Sequence, residues 1–166
     1  MNEIDVRDVI AVVEGLCIES CTLLGDDWWR AIEQAIAREE STIGRDILNQ
    51  LKENARLAAN TSSAICQDTG IAVVFIELGQ EVRLSGGNLY DAINEGVRRG
   101  YTKGYLRKSV LNDPVIRKNT GDNTPAIIHT QITEGNSLKI IVAPKGAGSE
   151  NVSGVKMLKP SEGVSY

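Results

Sequence analysis

A thiol, an amide, a carboxylate and a hydroxyl follow one another directly before an apolar run, residues 71–76, and a glycine completes the group. These residues are Cys66, Gln67, Asp68, Thr69 and Gly70. A thiolate is a ligand for soft metals, and the polar neighbours suit a carboxylate substrate. By position alone, a cysteine before a strand is more often a small buried hydrophobe. The polar neighbours, however, would each need hydrogen-bond partners in a core, so this pentapeptide favours a site.

A second polar stretch, residues 119–125, is dense in hydrogen-bond donors and acceptors. Such stretches are more often turn-rich loops that satisfy their own backbone. Its length and uniform polarity also allow the loop to pack around a polar site and to orient the residues that touch a ligand. The candidates for this supporting role are Asn119, Asp122, Asn123 and Thr124.

A glycine-rich stretch, residues 145–151, directly follows a predicted strand. Its small residues let backbone N–H groups approach an anion, and Lys145 and Ser149 add a positive charge and a hydroxyl. A carboxylate or a phosphate would suit it equally. It is not a Walker loop, because the Gly-Lys-Ser/Thr order is absent. A plain glycine-rich turn explains the stretch as well as an anion site does.

Four other residues have chemistry of their own. Arg107 carries a planar guanidinium that clamps carboxylates well, although most surface arginines are simply solvated. His129 lies inside a predicted strand, where a structural histidine is more common than a general base. Cys17 and Cys21 fall on the apolar face of a predicted helix, so we assign them to packing.

The first 63 residues have the periodicity of helices. One helix ends before Gly25, and the next has a predicted buried stripe of Trp28, Trp29, Ile32, Ala35 and Ile36. Ser41 or Thr42 can cap a third helix. Its apolar positions are Ile43, Ile47, Leu48, Leu51, Ala55 and Ala58. We therefore predict a helical layer over residues 1–63.

The rest of the chain, residues 64–166, has an α/β pattern and carries the motifs described above. The run 71–76 predicts a strand buried on both faces. Residues 88–100 predict a helix, and 126–133 and 137–143 predict two strands joined as a hairpin by a glycine-containing turn. We therefore expect an α+β fold, in one domain over the whole chain. A mixed β-sheet with a helix and a C-terminal hairpin follows the N-terminal helical layer.

The composition is that of a soluble globular protein, with 42% hydrophobic and 24% charged residues among 166. No apolar run approaches the ~20 residues of a membrane span, and the acidic N-terminus lacks the regions of a signal peptide, so we expect a cytoplasmic protein. Three cysteines, an odd number, argue against a disulfide framework.

A net charge of -4 conceals a basic segment. Residues 98–118 contain seven basic residues against one acid, Asp113. This segment is suited to negative charge in a ligand. The overall acidity and the 4% aromatic content count against nucleic-acid binding, which needs stacking platforms and a broad positive face.

Taken in order, these motifs resemble one family, the iron-sulfur hydro-lyases that comprise class I fumarate hydratases and the alpha subunit of L-tartrate dehydratase. The matching segments are residues 65–70, 106–109, 119–126 and 144–151, together with His129. They run in the family's order, and the resemblance covers nearly the whole chain.

The resemblance implies an oxygen-sensitive 4Fe-4S cluster held by three cysteines, of which Cys66 would be the first. One open iron would bind the substrate and polarise its C–O bond as a Lewis acid. Gln67, Asp68 and Thr69 would contact the substrate, with Asp68 the candidate for proton transfer. Arg107 would pair with a substrate carboxylate. The same dicarboxylate would meet donors of the glycine-rich stretch, namely Lys145, Gly146, Gly148 and Ser149.

This chain departs from the family in its cysteines. The family places two further cluster cysteines beyond the glycine-rich stretch, whereas Cys17 and Cys21 lie upstream and match neither. We therefore expect a truncated alpha subunit or fragment, or else cluster ligands from another polypeptide. One thiolate cannot retain a cluster that needs three, so we predict that the chain alone is inactive.

The expected partner is a beta subunit or a C-terminal domain in an oligomeric enzyme. We favour the hydration of fumarate to malate, with tartrate dehydration as the other candidate reaction. The alternative is a non-catalytic remnant that binds anions or assembles with a full enzyme as an interaction module.

Overall fold

The computed structural model describes residues 2–113, 115–146, 148 and 153–162. Helices and strands combine in an α+β arrangement that confirms the predicted fold class. In chain order the elements are β1 (Asn2–Asp5), α1 (Val6–Thr22), α2 (Asp26–Arg38), α3 (Thr42–Thr61), β2 (Ile71–Gly79), β3 (Val82–Ser85), α4 (Leu89–Lys103), β4 (Ile127–Thr133), β5 (Leu138–Lys145) and a short 3-10 helix (Pro160–Glu162).

Side-chain caps fix the starts of three helices. The Asp5 carboxylate accepts a hydrogen bond from the Arg7 amide at the start of α1, at 2.8 Å. The Ser41 hydroxyl accepts one from the Gly44 amide and caps α3, as predicted. Asn88 caps α4 by accepting from two amides, at 2.8 and 3.2 Å. Each cap satisfies amides that have no partner inside the helix.

The core lies between the α1–α4 helix pair and one face of a three-stranded sheet. Val13, Ile93 and Val97 are completely buried between these layers. Two glycines of α4 let the helices approach closely. A Cβ added to Gly96 would lie 2.7 Å from the Cβ of Val13, and one added to Gly100 would lie 2.7 Å from the Cβ of Cys17. The packing role predicted for Cys17 is therefore confirmed.

The strand order β4-β2-β5 shows that the predicted hairpin is wrong. β2 lies between the other two strands, parallel to β4 and antiparallel to β5. The link between β4 and β5 crosses the end of β2, where the Gly79 amide donates to Ser137 O and the Glu81 amide donates to Gly135 O. Four linking residues reach about 13 Å, which suffices for two strand spacings of about 4.8 Å. The glycine-containing turn is a local feature and does not determine which strands pair. The pairing depends on the apolar strand β2, which takes the central position in the sheet.

β2 is buried on one face only, which corrects the prediction of burial on both. Ala72, Val74 and Ile76 face the helices and are at most 1% exposed. On the opposite face Phe75 is 44% exposed. The helices α1 and α4 cover one side of the sheet, and no described residue forms a layer on the other.

The predicted helical layer is divided between two places. α1 belongs to the central core, whereas α2 and α3 pack against each other as a helical hairpin. Of the apolar stripe predicted for α3, only Ala55 and Ala58 are buried, while Ile43 is 74% exposed. The apolar periodicity therefore predicted helix α3 correctly. No described residue, however, covers the first half of the apolar face of α3.

The short strands β1 and β3 pair in parallel and were not predicted. They are four residues each. β1 has a single apolar residue, and β3 alternates apolar and polar residues over only four positions, the shortest run that marks a strand in sequence. No described helix is both long enough and apolar enough to cross a membrane.

Candidate functional site

The predicted motifs converge at one end of the three-stranded sheet. The pentapeptide 66–70 leads directly into β2, and the glycine-rich stretch begins as β5 ends. Ile71 pairs with Lys145 in the antiparallel ladder, so those two segments are adjacent. The polar loop 119–125 leads into β4, whose first residue pairs with Val73. The topology therefore brings together segments that are up to about 80 residues apart in the sequence.

Gly70 holds the closest approach in this region. Its φ of 61° lies in the left-handed region, and a Cβ added there would lie 2.1 Å from the carbonyl oxygen of Lys145. Only glycine fits this position without displacing backbone. A Cβ added to Gly146 would lie 3.1 Å from Oδ2 of Asp68. The carboxylate of Asp68 is thus packed against the first turn of the glycine-rich stretch.

Cys66 is exposed, in contrast to Cys17 and Cys21. Its Sγ lies 3.2 Å from Oε1 of Gln67, and the backbone amide of Asp68 donates to the same sulfur at 3.5 Å. A cavity of about 140 Å³ opens beside it, lined by Ser20, Cys21, Ile65, Cys66, Asp68, Thr69 and Pro144. The thiol is therefore accessible and lies among polar groups.

Thr69 is buried and connects the pentapeptide to the arginine segment. It is 5% exposed, and its hydroxyl donates to the backbone carbonyl of Arg107 at 3.0 Å. Arg107 itself is exposed, and the side chain of the preceding Leu106 anchors the segment in the core at 2% exposure. The structure therefore places the arginine backbone beside the pentapeptide.

Asn123 joins three segments from a completely buried position. Its Oδ1 accepts hydrogen bonds from the amides of Ser109 at 2.6 Å and Val110 at 3.2 Å. Its Nδ2 donates to the carbonyl of Gly70 at 3.2 Å. Asn123 has a φ of 64°, a region that asparagine tolerates better than most residues. The polar loop thus satisfies its own turns and also braces the pentapeptide.

The remaining loop residues bind to their surroundings. Asp122 accepts from Arg98 at 2.9 Å and from the Thr124 hydroxyl at 2.8 Å. Burial opposes the ionisation of Asp122, but the hydrogen bonds from Thr124 and Arg98 outweigh it and lower the pKa to about 2. Asn119 donates to the carbonyl of Lys108 at 3.0 Å. The contacts with Arg98 and Lys108 fix the loop against helix α4 and the segment that follows it, whereas the bond between Asp122 and Thr124 lies within the loop.

Tyr101 takes part in the same region, although the sequence interpretation did not include it. It is 1% exposed on α4, and its hydroxyl donates to the carbonyl of Thr69 at 2.8 Å. Burial raises the pKa of Tyr101, so the phenol remains a donor. In the sequence Tyr101 continues the apolar stripe of α4, so it is interpreted as a core residue. Its hydroxyl could have indicated more, because a buried tyrosine hydroxyl needs a hydrogen-bond partner.

The glycine-rich stretch begins at the end of β5. Lys145 is half-buried at the end of β5, and its Nζ donates to the carbonyl of Gly146 at 3.0 Å. Gly148 is exposed. The predicted Ser149 lies outside the described residues.

The hydroxyl of Ser109 is buried without a hydrogen-bond partner among the described residues. A buried hydroxyl in this state is a position where a ligand oxygen or a water would be stabilised.

His129 lies outside this group. It is exposed on the uncovered face of the sheet, where its ring stacks on Phe75 with a centroid distance of 5.2 Å. His129 therefore makes an aromatic contact within the strand, as a structural residue would, but it is not buried.

The described residues contain no group of three or more His, Cys, Asp or Glu side chains arranged to hold a metal ion. Cys21 borders the cavity, and its carbonyl accepts from the Ile65 amide at 3.0 Å. However, Cys21 is 7% exposed, and burial raises the pKa of its thiol. The described part of the chain thus offers a single accessible thiol, which fits one corner of a 4Fe-4S cluster and does not fit the whole.

Comparison with known proteins gives a family match over most of the chain. Residues 10–166 match the sequence family described as fumarate hydratase (Fumerase). A protein of Methanocaldococcus jannaschii that carries the name of an L(+)-tartrate dehydratase alpha subunit is 37% identical over 159 residues, which cover 92% of this chain and 55% of that protein.

Two relatives from Escherichia coli extend the comparison. An L(+)-tartrate dehydratase alpha subunit is 26% identical over 95% of this chain and 53% of its own length. A class I anaerobic fumarate hydratase is 33% identical over 68% of this chain and 21% of its own length. The chain thus spans about half the length of the alpha subunits that it matches.

Proposed function

Because this chain belongs to the Fumerase family of fumarate hydratases, we propose that it forms the alpha-type part of an iron-sulfur hydro-lyase. The reaction is the reversible addition of water to a C4 dicarboxylate. The observation that carries the proposal is the exposed thiol of Cys66 beside Asp68, at the point where the pentapeptide, the arginine segment and the glycine-rich stretch meet.

Cys66 is proposed as one ligand of a 4Fe-4S cluster. The amide of Asp68 donates to its sulfur, and thiolate sulfur is the ligand that such clusters use. The other two cysteines of this chain are buried, so the further ligands belong to polypeptide outside this sequence. The described residues fit only one corner of such a cluster.

The proposed substrate-binding roles are those that the family resemblance implies. Gln67 and Asp68 line the substrate, and Asp68 is the group proposed to move a proton. Arg107 and Lys145 neutralise the two carboxylates. Backbone and side-chain donors of Gly146, Gly148 and Ser149 add hydrogen bonds to the same anion.

A supporting layer holds these groups in place. Thr69 acts through its bond to the Arg107 carbonyl as well as by its position in the pentapeptide. Asn119, Asp122, Asn123 and Thr124 orient the segments around it. Rigid support of this kind lowers the cost of ordering a site when the substrate binds.

Fumarate is the substrate proposed first, and tartrate is the second. Relatives carry both names. A beta subunit or a C-terminal domain completes the site, in a cytoplasmic oligomer formed from a single partial alpha-type domain. Nucleic acid and membrane are not proposed as partners.

The alternative is a non-catalytic module that binds anions or assembles with a full enzyme. The observation that favours it is the single accessible thiol of the described residues. Anaerobic assay of the chain together with the missing polypeptide separates the two functions, because a remnant remains inactive whatever is added.

The chain alone provides the first experiment. Anaerobic reconstitution with iron and sulfide, followed by an absorbance spectrum and an iron count, should give substoichiometric, easily lost iron and no turnover of either acid. A stable, stoichiometric 4Fe-4S cluster on the isolated chain would overturn the proposed ligand set.

A further inference from the structure

The uncovered side of the three-stranded sheet is apolar at its centre. We define the open sheet face as Val73, Phe75, Ile127, His129 and Ile141. The large apolar members Phe75, Ile127 and Ile141 are 43 to 44% exposed. Phe75 pairs directly with both His129 and Ile141, and Ile127 pairs with Val73 on the same face. This is a contiguous patch rather than scattered exposure.

The two faces of the same strands differ sharply. On the face toward α1 and α4 the central strand is covered and Val74 is completely buried, although Ile132 at the end of β4 is 70% exposed; the open sheet face meets no described layer. Sheets that are apolar on both faces are covered on both faces in folded domains. The open sheet face therefore requires a second layer.

The size of the face selects the kind of layer. Three strands at about 4.8 Å spacing and about six residues of length cover roughly 300 Å². A stable interface between separate proteins needs about 800 Å² on each partner. The face is thus too small to hold a free subunit by itself. A layer that continues the same polypeptide escapes most of the entropic cost of association, so for it this area is sufficient.

The relatives provide the length for such a layer. The chain covers 55% of the Methanocaldococcus protein and 53% of the Escherichia coli alpha subunit, so a comparable length of each has no counterpart here. We infer that the open sheet face is the seat of a layer built by that remaining part of the alpha-type polypeptide. The inference rests on family membership and on this surface, and it does not depend on the proposed chemistry.

The position of the face gives the layer a functional consequence. Val73 and Ile127 lie at the end of the sheet where the pentapeptide enters, whereas the Glu77–Lys139 ion pair of 2.9 Å borders the other end. A layer seated on the apolar part therefore reaches the same end of the sheet as the pentapeptide. The cavity beside Cys66 opens on the other side of the sheet, toward Ser20 and Cys21 of α1, so the layer supports the pentapeptide from the side opposite that cavity.

Thiol footprinting tests this inference. The full chain is compared with a fused protein, in which the unmatched remaining part of the Methanocaldococcus relative follows the chain. Ile141→Cys reports on the open sheet face. Val12→Cys is the control, because Val12 is similarly exposed, at 50%, on the opposite layer. Both are made in a Cys66→Ser background, so that the exposed native thiol does not contribute to the signal.

In the chain alone both introduced thiols should react rapidly. In the fused protein the Ile141→Cys thiol should slow by at least about tenfold, as buried thiols do, while Val12→Cys changes by less than about twofold. Equal reactivity of Ile141→Cys in both proteins overturns the inference. So does a fused protein without a cooperative thermal transition, because a seated layer should stabilise the sheet.

Self-association is the competing outcome. Protection of Ile141→Cys in the chain alone, increasing with protein concentration and accompanied by a dimer in size-exclusion chromatography, would assign the face to a second copy and contradict the inference.

Discussion

Individual buried polar residues hold the candidate site together. Tyr101 and Asn123 are almost fully buried, and together they bind the carbonyls of Thr69 and Gly70. The sequence motif marked Asn123 as a supporting residue but gave no partner for it. Tyr101 was missed because helical periodicity records the apolar ring and not the hydroxyl at its end. Pairwise contacts over 30 residues or more are not encoded in any local pattern.

Replacing Asn123 with alanine should destabilise the protein strongly. The change leaves the Ser109 and Val110 amides and the Gly70 carbonyl without their partner in a buried position. Each such loss costs about 1–3 kcal/mol, and the losses are not additive, so we expect about 3 kcal/mol in total. Urea unfolding measures it. Asn119→Ala, at an exposed position of the same loop, should cost less than about 1 kcal/mol. Equal costs for the two variants would contradict the bracing role.

Tyr101→Phe removes one hydrogen bond and keeps the ring. The Thr69 carbonyl then loses its donor, which should lower the free energy of unfolding by about 1 kcal/mol. It should also loosen the pentapeptide, so that the Cys66 thiol reacts faster with a disulfide reagent in the native state. Tyr105→Phe is the matched control, because Tyr105 is 94% exposed. An unchanged Cys66 rate in the Tyr101 variant would show that this bond does not position the pentapeptide.

At the scale of elements, local signals were reliable and pairing was not. The three N-terminal helices, the strand after Gly70 and the helix after Asn88 all follow their predicted positions. The predicted β4–β5 hairpin is wrong because β2 lies between the two strands. The first half of the apolar face of α3 is exposed because no described residues cover it. The sequence predicts which face of an element is apolar, but the partner for that face depends on the whole topology.

Gly70 controls the entry into β2. Gly70→Ala combines a left-handed backbone with a Cβ only 2.1 Å from the Lys145 carbonyl. We expect a loss of more than about 3 kcal/mol in unfolding free energy. Gly121→Ala has a φ of 84° but no atom within 4 Å, so it carries the backbone strain alone, about 1–2 kcal/mol. Similar losses in the two variants, measured by thermal unfolding, would show that the close approach of the two segments is not real.

The Asp122–Arg98 ion pair predicts a pH dependence for the loop before β4. The pKa of Asp122 is lowered to about 2 in the folded protein, against about 3.9 when unfolded, so its contribution is present above about pH 4 and lost as the pH falls toward 2. Because the pair is partly exposed, the contribution is about 1 kcal/mol or less. The wild type should exceed Asp122→Asn in stability near neutral pH, and the difference should vanish near pH 2.

The measurement is urea unfolding at a series of pH values, with the exposed Glu53→Gln variant as a control that shows no such convergence. A difference between wild type and Asp122→Asn that persists or grows at low pH would contradict the assignment.

At the scale of the whole molecule, the motifs converge on one end of one sheet, as the family resemblance required. The accessible thiol and the adjacent Asp68 lie at that end; Cys21 borders the same cavity but is buried, and Cys17 is buried in the core. Composition and periodicity could not predict this convergence, because it arises from the parallel and antiparallel pairing of β2 with its two neighbours. The order of the motifs along the chain did predict the convergence, because that order implies the family and, with the family, its fold.

The central claim is that Cys66 is a cluster ligand, and iron content tests it most directly. The fused protein is reconstituted anaerobically as wild type and as Cys66→Ser, with Cys21→Ser as the matched control for loss of a buried thiol, and iron and sulfide are counted per chain. We predict about four irons with 4Fe-4S absorbance in the wild type and in Cys21→Ser, and loss of most of that iron in Cys66→Ser. A Cys66→Ser protein that keeps the wild-type iron content and spectrum would contradict the account.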